Sequence, residues 1–149
     1  MQLNTDAIGS AYEPVLYAVG REKVKEYALA VGERDPLHLD HEAARAAGYA
    51  DVVAPPMFAV VYAGIAVSLP LHDPELGIDY AHLVHGAQEF RWGRLVIAGD
   101  ELSTTATVAD ICDRRGLYFY VFTSESVNQR GETVCTGTWT NIVRPAGAG

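Results

Sequence analysis

The order of apolar and polar residues divides the chain into a first half patterned for helices and a second half patterned for strands. Residues 13–19 predict a short entering strand. Over residues 21–31, Val24, Tyr27, Ala28 and Val31 recur at helical spacing. Gly32 follows where a helix C-cap is expected. Residues 33–39, bent by Asp35-Pro36, read as a loop. Asp40 can cap a short helix through Glu42, Ala43, Ala44 and Ala47, which Gly48 ends. Residues 52–71 are almost wholly apolar, but Pro55, Pro56 and Pro70 punctuate the run. The uninterrupted part, 57–69, is too short to cross a bilayer. It reads as a helix buried on nearly all sides that opens at Pro55-Pro56, because a proline is tolerated in a first helical turn. Residues 72–79 read as a loop.

From there the period changes. Residues 83–92, 95–97, 102–109, 117–127 and 134–143 are candidate strands. In 117–127, Tyr118, Tyr120 and Phe122 alternate against Leu117, Phe119 and Val121, so both faces are apolar and expected to be covered. Residues 113–116 and 128–131 each end in glycine, as hairpin connections do. Helices first and antiparallel strands after suggest an α+β fold with the sheet packed on helices. One apolar helix followed by about four long strands fits an antiparallel sheet wrapped around a central helix.

Composition narrows the possibilities. The 149 residues read as a single domain, 1–149, long enough to bury its own core, with 49% hydrophobic and 20% charged residues. A formal net charge of −8 argues against a general nucleic-acid surface. Cys112 and Cys135 have neither metal-ligand spacing nor the number that a disulfide framework needs. No signal peptide or membrane span is expected, which points to a cytoplasmic location. Residues 145–149 read as a frayed tail.

The strongest chemical signal is Gly32-Glu-Arg-Asp-Pro-Leu-His-Leu-Asp40. It gathers the carboxyl groups of Glu33 and Asp35 and the imidazole of His38 in one loop, and an imidazole beside a carboxylate can hold and polarise water. Pro36 keeps Asp35 out of helical geometry and limits the freedom of the loop. Taken alone, the same residues also fit a turn with a surface histidine.

This segment resembles the Asp-x-Asn-Pro-x-His motif of MaoC-like hydratases. Three further stretches match in order: Asp40 to Tyr49, Val53-Ala-Pro-Pro-Met-Phe58 and Ala98-Gly-Asp-Glu-Leu102. Val19-Gly-Arg-Glu-Lys-Val-Lys-Glu-Tyr27 and Leu83-Val-His-Gly-Ala-Gln-Glu-Phe90 are similar to the Had-type branch, the MaoC-dehydratase N-terminal-like group. The resemblance implies a hot-dog fold and an acyl chain in a tunnel beside the central helix. It implies reversible addition of water to a 2-enoyl thioester, with His38 and Glu33 or Asp35 as the catalytic pair. No metal or redox cofactor is implied; coenzyme A or acyl carrier protein enters as part of the substrate. The expected partner is a second copy, or a MaoC-like subunit in a heterodimer.

Two departures from that pattern matter. The family aspartate falls on Glu33, one methylene longer, and a shift of about 1 Å in the water site costs on the order of a hundredfold in rate. Either Glu33 or Asp35 can face His38. At the start of the central helix the family glycine, whose N–H helps hold the thioester oxyanion, is Pro56, which has no N–H. Met57 supplies the next donor. These departures support an alternative, a non-catalytic acyl-binding subunit of a heteromeric dehydratase. His85 is a further candidate for contact with substrate. It lies three residues from Gln88, so alternation places the two on opposite faces of a strand. Arg91, Arg94, Arg114 and Arg115 can meet coenzyme A phosphates, or form a solvated face and a hairpin tip.

Overall fold

The computed structural model describes residues 3–144. The expected tail at 145–149 lies outside the described residues. β1 (Val15–Ala18) leads into α1 (Arg21–Ala30), followed by two short helices, α2 (Pro36–Leu39) and α3 (His41–Ala46). A 3₁₀ turn (Pro56–Phe58) opens α4 (Ala59–His72). Four strands complete the chain: β2 (Leu83–Trp92), β3 (Glu101–Arg114), β4 (Leu117–Val127) and β5 (Thr133–Val143). All pairings are antiparallel, in the order β1-β3-β4-β5-β2.

The inner face of the sheet carries Leu102, Ala106 and Val108 of β3, Tyr120 and Phe122 of β4, and Trp139 and Val143 of β5. These pack with Phe58, Ala59, Tyr62, Ala63, Ala66 and Val67 from the α4 region in one buried cluster. The alanines let the sheet approach the helix closely, and the aromatic residues fill the remaining space. This is the α+β architecture of a sheet around a central apolar helix.

Several expectations need correction. Residues 36–39 form a helical turn rather than loop, because Asp35 caps it and Pro36 suits a first helical position. α4 runs through Pro70 and takes in His72, the first residue of the expected loop 72–79. It is not buried all round: Met57, Val60, Ile65 and Leu69 form an exposed stripe on the side the sheet does not cover. Residues 95–97 make only an isolated bridge, Val53 to Ile97. β3 is longer than expected and pairs with β4 out to Arg114 and Leu117, closing through Arg115 and Gly116, both at positive φ. On β4 only the face bearing Tyr120 and Phe122 is fully buried; Leu117, Phe119 and Val121 are half-buried. Among the described residues no helix is long and apolar enough to cross a membrane.

Candidate active site

α1 sets the position of the first carboxylate. Its C-terminus closes with Gly32 at φ 78°, Gly32 N–H donating to Leu29 O at 3.1 Å and Glu33 N–H to Ala28 O at 2.8 Å. These are the two bonds of a Schellman motif, which turns the chain sharply and fixes Glu33 at the helix end. Glu33 Oε1 then accepts from Arg34 N–H at 2.8 Å and Asp35 N–H at 3.1 Å. These two backbone bonds, Asp35 first, hold the Glu33 carboxyl below its ordinary value, and the nearby His38 charge lowers it further. Asp35 has a different task. Its Oδ1 accepts from Leu37 N–H at 2.9 Å and caps α2.

The single turn of α2 delivers His38 to the segment that precedes α4. His38 Nδ1 lies 2.6 Å from Val53 O. A carbonyl only accepts, so Nδ1 carries a proton, and in the neutral ring the lone pair is then on Nε2. The same residue is tied in the other direction, Val53 N–H donating to Leu37 O at 2.9 Å. On the far side, Ala54 N–H donates to Val96 O at 2.8 Å and Ala98 N–H to Val52 O at 3.0 Å. Residues 52–54 are thus held between α2 and residues 96–98, and all three are buried.

Pro56 and Met57 follow at the first turn of the central helix. Trp92 Nε1 donates to Pro56 O at 2.8 Å, joining the end of β2 to that turn. Pro55, Pro56, Phe58, Tyr62, Trp92 and Leu95 are among the residues around an apolar cavity of about 360 Å³. Met57 is exposed, and its amide belongs to the first helical turn, where N–H groups lack intrahelical acceptors. Glu33, Asp35 and His38 come together, and Val53 links them through the chain to Pro56, Met57 and the cavity.

His85 belongs to another group. A bulge between His85 and Ala87 inserts one extra residue into β2. His85 therefore pairs with Asn141 and Gln88 with Trp139, two residues on the same side of β5. His85 and Gln88 share a face, contrary to simple alternation. Gly86 permits the bulge: a Cβ there would lie 2.6 Å from Ile142 Cδ1. The His85 ring meets Trp139 edge-on at 6.3 Å. Arg91 pairs with Glu89 and Arg94 with Glu132, all on the surface or near it, while Arg115 sits at the tip of the β3–β4 hairpin.

Residues 6–137 match the family model described as FAS1-like, dehydratase domain region. The chain belongs to that dehydratase family. Among curated proteins it is 47% identical over 145 residues to a UPF0336 protein of Saccharopolyspora erythraea, covering 97% of this chain and 93% of the relative. It is 41% identical over 147 residues to the UPF0336 protein SCO4636 of Streptomyces coelicolor, covering 98% and 97%. Among solved structures it is similar to a chain of the C-terminally truncated HadBC (3R-hydroxyacyl-ACP dehydratase) complex of Mycobacterium tuberculosis. That likeness has a TM-score of 0.80 and 30% identity over 94% of this chain and 99% of the other. The R-hydratase PhaJ1 of Pseudomonas aeruginosa shares the fold, with a TM-score of 0.73 and 21% identity over 93% and 81%. The fold is therefore the hot-dog fold of the MaoC-like hydratases and dehydratases.

For this dehydratase-family chain, sequence reasoning located the His loop and the helix start but missed what joins them. Val53 had no distinguishing chemistry, since only its carbonyl acts. The Trp92 bond to Pro56 spans 36 positions and has no local signal. The bulge did have one, a glycine inside a strand pattern.

Proposed function

We propose that the chain carries out (R)-specific hydration of 2-enoyl thioesters and the reverse dehydration of 3-hydroxyacyl thioesters, borne on coenzyme A or acyl carrier protein. The observation that carries this reading is the Nδ1–H bond of His38 to Val53 O, which leaves Nε2 of the neutral ring free to act as a base, with Glu33 five residues earlier on the same segment. Water held at Nε2 gives up a proton as its oxygen bonds to C3 of the enoyl group. The electron pair of the double bond moves toward the thioester, and C2 then takes the proton from the Nε2–H of the His38 imidazolium as the enolate collapses, which returns the ring to its neutral form. Glu33 orients the water and stabilises the imidazolium. Charge builds on the thioester oxygen at the α4 end, where Met57 N–H and the helix dipole are the available donors because Pro56 has none. The apolar cavity at Pro55, Phe58 and Tyr62 suits an acyl chain.

A second reading, an acyl-binding subunit that leaves the chemistry to a partner, draws support from two observations. Pro56 removes an oxyanion donor, and Glu33 already gives one oxygen to two loop amides. In both readings a MaoC-like partner, a second copy or a distinct subunit, lies along the unpaired edge of β2. That edge is ten residues long and, with the α4 stripe, exposes Val84 and Trp92. The heteromeric HadBC relative supports the two-subunit form.

The test is hydration of a short 2-enoyl-CoA by the purified chain, followed as loss of the enoyl absorbance and appearance of the (R)-3-hydroxy product. Turnover supports the first reading. Folded protein that binds acyl-CoA without turning it over supports the second, and no binding at all contradicts both.

A further inference from the structure

Arg21 lies in the first turn of α1, and its guanidinium grips Asp51 with both arms: Nε to Oδ1 at 2.9 Å and Nη2 to Oδ2 at 2.6 Å. The Asp51 carboxylate also accepts the N–H of Val52 at 2.7 Å. Val52 is wholly buried, and the next residue, Val53, supplies the carbonyl that holds His38. The opposite end of α1 turns through its Schellman motif into Glu33. One helix thus governs both halves of the candidate site, Glu33 directly and His38 through Asp51, Val52 and Val53.

We propose that Arg21 and Asp51 are positioning residues that set the orientation and tautomer of His38 by fixing the Val53 carbonyl. The inference rests on the reading of His38 as the water-binding base. The two arms of arginine match the two carboxylate oxygens, so the pair holds direction as well as distance, which a lysine cannot do. The Val53 carbonyl shares a peptide plane with Ala54 N–H, which donates to Val96 O, and the two preceding peptides are pinned by Val53 N–H to Leu37 O and Val52 N–H to Asp51, so its direction depends on the whole 51–54 segment staying in place. Arg21 is partly exposed and Asp51 more covered, with side-chain exposures of 38% and 16%. The Asp51 carboxyl is lowered to about 2, mainly by the Arg21 hydrogen bond, so the grip persists across neutral pH.

Two readouts test this on the full chain. Ring ¹⁵N chemical shifts of His38 report its tautomer above its titration, and hydration of crotonyl-CoA reports turnover. Asp51→Asn is near-isosteric, and Arg21→Lys keeps charge while losing the fork. In both variants, His38 shifts from the Nδ1–H form toward a mixture of tautomers. The value of kcat falls about tenfold or more, the scale expected when a catalytic group is misplaced by a fraction of an ångström, while KM changes little. A folded Asp51→Asn or Arg21→Lys protein with the wild-type tautomer overturns the inference, as does an altered tautomer with wild-type turnover. If the wild-type chain binds acyl-CoA but does not turn it over, the functional reading fails by itself, and the tautomer alone decides whether the pair positions His38.

Discussion

At the scale of single residues, the site depends on how each polar group is already engaged. Asp35 spends its carboxylate on capping α2, and Glu33 shares an oxygen with two amides while keeping its charge near His38. Pro56 gives one clear prediction. Its carbonyl is held by Trp92, so Pro56→Gly keeps that bond and adds an N–H at the helix start. If oxyanion stabilisation is limited by a missing donor, kcat for enoyl-CoA hydration rises about tenfold or more with little change in KM, since one such donor is worth up to a hundredfold or beyond. An unchanged kcat means that Met57 N–H already does this task. Asp51 gives a second prediction. Its carboxyl is depressed from 3.8 to about 2 when folded, mainly by Arg21. A depressed folded pKa adds stability above the unfolded value, and that stability is lost as pH falls through the folded one. Wild-type stability therefore drops by about 1 kcal/mol from Asp51 alone between roughly pH 4 and pH 2, discounted for the partial exposure of Arg21. Asp51→Asn lowers stability at pH 7 and removes that part of the acid slope, as urea melts across pH will show.

At the scale of elements, most of the architecture was legible. The 3.6 period of residues 21–31 and the capping signal at Asp40 correspond to α1 and α3, and residues 83–92 and 117–127 coincide with β2 and β4. The unread parts have physical reasons. A one-turn helix such as α2 is too short to show periodicity and is set by Asp35 and Pro36. Residues 95–97 look like a strand because apolar residues cover the 52–54 segment there, but only one bridge forms. The separate engagements of Glu33 and Asp35 were not legible, because they depend on which loop amides each carboxylate accepts. Gly93 shows how tightly the element ends fit. A Cβ on Gly93 would lie 2.2 Å from Thr133 O and 3.1 Å from Thr133 C, both backbone atoms. Gly93→Ala must separate β2 from β5 beside the Trp92 contact, and a loss of about 1–3 kcal/mol is expected. A thermal melt will show this, and Gly64→Ala, whose Cβ meets only Trp139 Cη2 at 3.9 Å, serves as the mild comparison.

At the scale of the whole molecule, the helix is wrapped on one side and open on the other. The exposed stripe of Met57, Val60, Ile65 and Leu69 runs from the 3₁₀ turn along α4, and the long β2 strand has one unpaired edge. An open edge of that length invites pairing with another chain. Sedimentation of the purified protein should give twice the chain mass, or a stable pair with a MaoC-like subunit when both are present. Val84→Lys, on the exposed β2 edge, should shift the equilibrium toward the monomer, because a buried lysine at a sheet junction is unfavourable. A monomeric wild-type chain that also ignores a MaoC-like partner contradicts this arrangement.

The central claim is that His38, held through Nδ1 by Val53, presents Nε2 to water. The most direct measurement is hydration of a short 2-enoyl-CoA by the wild-type chain and by His38→Ala side by side, with folding of both checked. The account predicts measurable turnover in the wild type and a fall of about a hundredfold or more in the variant, with acyl-CoA binding retained. Equal turnover in the two proteins contradicts it.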